Sequence, residues 1–158
     1  MIFSSWFGFS LFIGALIALA LIVPLPRIKE LLPLGLVGGA GLAFLLIYFM
    51  QNVWGYWSFK DVDLLNVIDI PFFLSLSWFP IVILYSHLIG QYRSIILMLL
   101  IVVGFPIAAT ITQLYLIENQ LLTYQNWNYP LTFLLSLAIH LIIAFYLYTT
   151  GKIRKVLH

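Results

Sequence analysis

The chain has 158 residues, 64% of them hydrophobic and 8% charged, with a formal net charge of +2 and no cysteine. A water-soluble domain carries about 25% charged residues, so this composition excludes one. The missing thiols rule out disulfides, thiolate metal sites and a cysteine nucleophile, and so small a positive charge argues against nucleic acid as a partner.

A helix crossing about 30 Å of hydrocarbon needs about 20 mostly apolar residues, and five stretches meet that requirement. The first, 2–23, has no Lys or Arg ahead of it and exceeds the about 7–15 residues of a signal-peptide core, so it reads as a span. Ser10, Gly14 and Ala18 form a small-residue stripe along it. Pro24-Leu25-Pro26-Arg27 ends this run, because proline lacks the amide proton and fixes φ. The second span, 31–50, carries a similar stripe at Gly35, Gly39 and Ala43, a spacing that lets helix backbones approach closely. Gln51 to Asp63 is a polar, aromatic connection. The third span, 64–88, places Asp69 about 7 Å below its outer end, on one face with Pro80 and His87. Gly90 to Ser94 is a basic turn. The fourth span, 95–117, offers Thr110 and Gln113 beyond Pro106, and Glu118 to Pro130 forms a polar loop. In the fifth span, 131–149, Thr132, Ser136 and His140 repeat at four-residue steps on one face. Gly151 precedes a basic tail.

Backbone polar groups cannot stay unpaired in lipid, so runs of this length read as helices. The expected fold is all-α, one transmembrane domain over 1–158 with five helices. Arg27, Lys29, Arg93, Lys152, Arg154 and Lys155 fall on one side and Lys60 alone on the other. Under the positive-inside rule the N-terminus is outside and the C-terminus in the cytoplasm, the arrangement of a multi-pass protein of a bacterial plasma membrane.

Ionisable groups inside a membrane point to function. Asp69, Thr110, Gln113, Ser136 and His140, with Thr132, are expected to line an outer polar cavity that holds a ligand or a proton. The competing reading makes them interhelical hydrogen bonds that hold the bundle together. Trp54, Trp57 and Trp127 form an outer aromatic surface, read as an interfacial belt or as part of a lid over that cavity. Phosphate loops, HExxH, GxSxG and His/Asp metal spacings are absent from the sequence, so no catalytic residue, metal or cofactor is assigned.

From Trp54 onward the aromatic Gly55-Tyr56-Trp57-Ser58-Phe59, the Phe79-to-His87 span end, Gln113 and Trp127 resemble small multi-pass membrane proteins of Bacillus- and Clostridium-type Firmicutes. That family has no assigned activity, and the resemblance implies an acidic residue where Gln113 stands. A weaker likeness is to membrane-embedded lycopene cyclase domains, which carry Pro-x-Glu-Glu in a span after a Trp-rich segment. The corresponding Ile68-Asp69-Ile70-Pro71-Phe72-Phe73 has one carboxylate before the proline and none after it. The leading expectation is a non-enzymatic component acting through a membrane-protein partner or second copy, or sensing a ligand outside. The alternatives are a lipid- or isoprenoid-handling enzyme with Asp69 as acid, and a proton- or solute-conducting subunit.

Overall fold

The structure, a computed structural model, describes residues 6–92 and 94–152. Five helices dominate it: α1 (Phe7–Ile22), α2 (Leu25–Val53), α3 (Phe72–Gln91), α4 (Ile95–Glu118) and α5 (Tyr129–Thr149). All but α1 are long and apolar enough to cross a membrane. With 16 residues, α1 reaches about 24 Å. Of the basic residues counted by side, Arg93, Arg154 and Lys155 lie outside the described residues. Arg27, Lys29 and Lys152 do gather at one end of the bundle, the tail end. Lys60, Asp61, Asp63, Asp69 and Glu118 stand at the other, the loop end.

Helix boundaries depart from the sequence reading in two places. Proline breaks the chain only at Val23–Pro24, and the helix restarts at once, so Arg27 and Lys29 belong to α2 and not to a loop. Pro24 caps α2, and Pro26 sits in its first turn, where no intrahelical amide is required. The second departure is larger. Residues expected to open the third span instead form a hairpin, with β2 (Asn66–Val67) antiparallel to β3 (Ile70–Pro71). Ile68 and Asp69 make its two-residue turn, with φ of 54° and 61°. Both central residues of such a turn must take positive φ, an unfavourable demand on a β-branched side chain. Here tertiary bonds hold it: Gln51 Nε2 donates to the Asp69 carbonyl at 2.8 Å and Asn52 Nδ2 to that of Ile68 at 3.4 Å.

The two long connections, read as polar loops, also pair. β1 (Trp57–Phe59) lies antiparallel to β4 (Leu122–Tyr124), with Trp57 opposite Tyr124 and Phe59 opposite Leu122. This ribbon covers the loop end of the bundle.

Helix α3 is the hub. On one side α1 and α2 pack against it, on the other the closely paired α4 and α5. A Cβ at Gly39 would lie 2.5 Å from the Trp78 carbonyl oxygen, and one at Gly35 2.7 Å from Ile83 Cγ1. The second small-residue stripe therefore packs within the chain. Gly35 to Gly41 adopts π-helical bonding along this contact. By contrast, Gly14 in the first stripe has open space around it. At the tail end Arg27 Nη2 donates to the Lys152 carbonyl at 2.8 Å and Nη1 pairs with Glu30 at 2.6 Å. Gly151 closes α5 with φ of 69°, while Lys152 N reaches back to the Leu147 carbonyl at 2.9 Å.

Asp63, the last residue of the polar, aromatic connection, is buried. Its Oδ2 accepts the Leu74 amide at 2.7 Å and its Oδ1 the Leu64 amide at 3.1 Å, so it caps the start of α3 across a hairpin. Gly8 leaves room for it, since a Cβ there would meet Asp63 Oδ2 at 2.6 Å.

Two outcomes follow. Gly39→Ala should cost about 1–3 kcal/mol in unfolding measured in detergent, as overpacking against backbone does, whereas Gly14→Ala should be near neutral. Burial holds the Asp63 carboxyl above its ordinary value of 3.8, outweighing the lowering by its backbone hydrogen bonds. The folded chain therefore binds this proton more tightly than the unfolded chain. Its contribution to stability is full below about 3.8 and is lost as pH rises through the folded-state value. Asp63→Asn should abolish that slope in an unfolding series across the acid range. Asp63→Ala, which orphans two amides, should destabilise at every pH.

Candidate functional site

A cavity of about 280 Å³ lies where α2, drawn onto α3, leaves α4 and α5. Its walls are mostly apolar: Leu42 and Ala43 from α2, Trp78 from α3, Phe105 and Ala109 from α4, and Leu135 from α5. Trp57 and Phe59 of the β1–β4 ribbon roof it. Ala108, halfway along α4, lines the cavity and is exposed, so the cavity opens on the bundle's flank as well.

Among the residues singled out from sequence, Gln113, Ser136 and His140 reach this cavity, together with Thr132. The face-sharing spacing of α5 explains three of them: residues four apart project from one side of a helix. Gln113 joins them because α4 and α5 pack along their lengths. Thr110 is not a lining residue; its Oγ1 donates to the Pro106 carbonyl one turn back at 2.8 Å.

Asp69 also stands apart, a correction to its expected place on the third helix. It occupies the exposed hairpin turn and borders a separate polar cleft of about 510 Å³ with Lys60, Asp61, Asn66 and Gln125. Asp69 and His87 therefore share no helix face, since α3 begins after Asp69.

The three tryptophans divide as well. Trp54 is 53% exposed, as an interfacial residue would be, but Trp57 is buried at 4%. Trp127 stacks on Tyr56 at 5.4 Å and meets Trp57 edge-on at 6.1 Å, joining the two connections. Trp57 is a roof residue and not part of an outer surface.

Beneath the roof, polar groups form a chain of bonds. Trp127 Nε1 donates to Thr132 Oγ1 at 2.9 Å, Thr132 Oγ1 lies 2.6 Å from the Tyr124 hydroxyl, and Tyr124 donates to Gln113 Oε1. Burial pushes the Tyr124 phenol up to about 12, so it remains a donor throughout the neutral range. Sequence reading missed Tyr124 as a site residue; only the strand pairing brings it over Gln113.

Lower down, His140 is buried, with Tyr85, Phe105 and Trp78 rings around it at 4.7, 5.9 and 6.3 Å. Tyr85 donates its hydroxyl to the His140 backbone carbonyl at 2.8 Å, which fixes α5 on α3. The His140 Nδ1 lies 2.7 Å from the Ser136 carbonyl oxygen. His140 Nε2 and Trp57 Nε1 are buried and take no hydrogen-bond partner among the described residues. Groups of three or more His, Asp or Glu able to hold a metal are absent among the described residues. Chemically, the cavity is an apolar chamber with a polar network near its roof and an unsatisfied imidazole deep inside, a composition typical of small-molecule sites.

Tyr124→Phe should leave Gln113 Oε1 only its longer 3.3 Å bond from Thr132 Oγ1 and loosen the roof. The expected cost is about 1–3 kcal/mol in detergent unfolding, with increased proteolysis in the connections.

No protein-family model, curated protein or solved structure gives a significant match to this chain.

Proposed function

We propose that this chain is a five-pass protein of a bacterial plasma membrane, N-terminus outside, that binds an apolar small molecule inside its helix bundle. It acts non-enzymatically, as a sensor of that ligand or as its presenter to a membrane-protein partner. The carrying observation is the roofed cavity between α2 and the α4–α5 pair. A bundle serving only as a scaffold gains nothing from such a void, because each lost contact costs packing energy.

The orientation is supported by charge. Among the described residues, Arg27, Lys29 and Lys152 stand at the tail end and Lys60 at the loop end. The positive-inside rule puts the tail end in the cytoplasm and the ribbon outside. Mid-length Ala108 then lies at hydrocarbon depth, and the flank opening faces lipid. Ligands reach the cavity from the bilayer, as suits an apolar guest. An acid-catalysed cyclase reading finds no support in the cavity walls, because Asp69 borders the other cleft.

Filling the cavity tests the proposal. Ala43→Leu and Ala109→Leu, from opposite walls, should each fold with unchanged or raised thermal stability. Each should strip co-purified apolar small molecules, seen by mass spectrometry of the wild-type protein in mild detergent. Equal ligand content in wild type and both variants would refute the site.

A further inference from the structure

Beside the buried, unpartnered Trp57 Nε1, Ser86 Oγ and His140 Nε2 stand a strained turn and an exposed polar cleft. The strained Ile68–Asp69 turn is already held by Gln51 and Asn52. The cleft around Lys60 and Asp69 is open and water-filled in character, with its charges on the surface. His140 is different: its geometry fixes which atom is unsatisfied, and that atom specifies a ligand chemistry.

The Ser136 carbonyl can only accept a hydrogen bond, so the 2.7 Å contact requires the proton on His140 Nδ1. Neutral imidazole carries one ring proton, and Nε2 is then a bare acceptor. A second proton on the ring would need a counter-charge this far from water. None of the residues lining the cavity is Asp or Glu. Among the described residues this bare lone pair is buried without a partner, and it stays unsatisfied until a donor meets it.

Resting on the cavity reading above, we infer that the ligand is a single-chain apolar alcohol whose hydroxyl donates to His140 Nε2. A hydroxyl supplies the missing proton, whereas an ester, ether, aldehyde or plain hydrocarbon has no donor to offer. The cavity's 280 Å³ falls just below the about 300–1,000 Å³ of ordinary small-molecule pockets, which suits one chain better than a two-chain lipid. The flank opening at Ala108 lets the rest of the chain lie in the bilayer. The Trp78, Tyr85 and Phe105 rings pack around the imidazole, and none of them donates to Nε2.

The probes are 12-bromododecan-1-ol and its methyl ether, which differ by the hydroxyl proton and a small cap. Their binding is followed by bromine quenching of tryptophan fluorescence, with the full chain in saturated phosphatidylcholine nanodiscs. Trp57 and Trp78 line the cavity and report occupancy. Wild-type protein should favour the alcohol over the ether by about tenfold relative to His140→Phe, the worth of one hydrogen bond. Taking the ratio between wild type and variant cancels the probes' different partition into the bilayer. The ¹⁵N resonance of His140 Nε2 should also shift when the alcohol, but not the ether, is added to wild type, a readout that needs no variant. Ala109→Leu should weaken both probes alike.

Equal alcohol-to-ether ratios in wild type and His140→Phe, with an unmoved Nε2 resonance, would overturn the alcohol assignment. If Ala109→Leu still weakened both probes, the cavity itself would stand as a site. Binding indifferent to Ala109→Leu would instead overturn the cavity reading, and an Nε2 satisfied by water alone would leave both probes unbound and sink the assignment.

Discussion

At Gly39 the backbones of α2 and α3 come so close that a single methyl group would lie 2.5 Å from the Trp78 carbonyl oxygen. Much of the architecture depends on this approach. It seats α2 along α3 through Gly35 and Gly39 and turns the local hydrogen bonding to the wider π pattern. Once α2 is committed to α3, it cannot also close on α4 and α5, which pair with each other. The unfilled space between them is the cavity. Small residues in membrane helices thus do two opposite jobs here: glycines remove volume to gain contact on one face, and Ala43 leaves volume unfilled on the neighbouring one.

The loop end is organised by a second constraint, that buried polar groups find partners. The starts of α1, α3 and α5 and the ends of α2 and α4 converge there, and each exposes unpaired backbone groups. Asp63 takes up amides at the start of α3, Asn128 Oδ1 accepts the Leu131 amide at the start of α5, and the β1–β4 ribbon pairs backbone that would otherwise be loop. The Trp127–Thr132–Tyr124–Gln113 chain continues this into the bundle. Against such pairing, Trp57 Nε1, Ser86 Oγ and His140 Nε2 are buried and take no hydrogen-bond partner among the described residues.

The proposed function rests on what the two constraints leave over. Between the helices they leave an apolar chamber with a polar network near its roof, closed by Trp57 and Phe59 of the β1–β4 ribbon. A ligand bound there would touch that ribbon.

Amino-acid order alone marks the long apolar helices, four of them long and apolar enough to cross a membrane, because hydropathy and length act locally and need no partner. The apolar runs became α1 to α5, though α2 begins six residues before its expected start and α3 eight residues after, and the four-residue steps of Thr132, Ser136 and His140 became one buried face. On α4 the expected pair divided: Gln113 reaches the cavity because α4 packs along α5, and Thr110 does not. Fold decided the rest. Leu64 to Asp69 is apolar enough to continue a helix, yet Asp63 and Gln51, far apart in the chain, fix a capped start at Phe72 and a hairpin before it. Trp57 and Tyr124 lie in segments without helical or strand periodicity, and only their pairing across the chain makes them roof and network. The cavity, too, exists because α2 chose α3 over α4. Such choices rest on contacts between distant segments, where the energy belongs to pairs of surfaces and no single stretch of residues carries it.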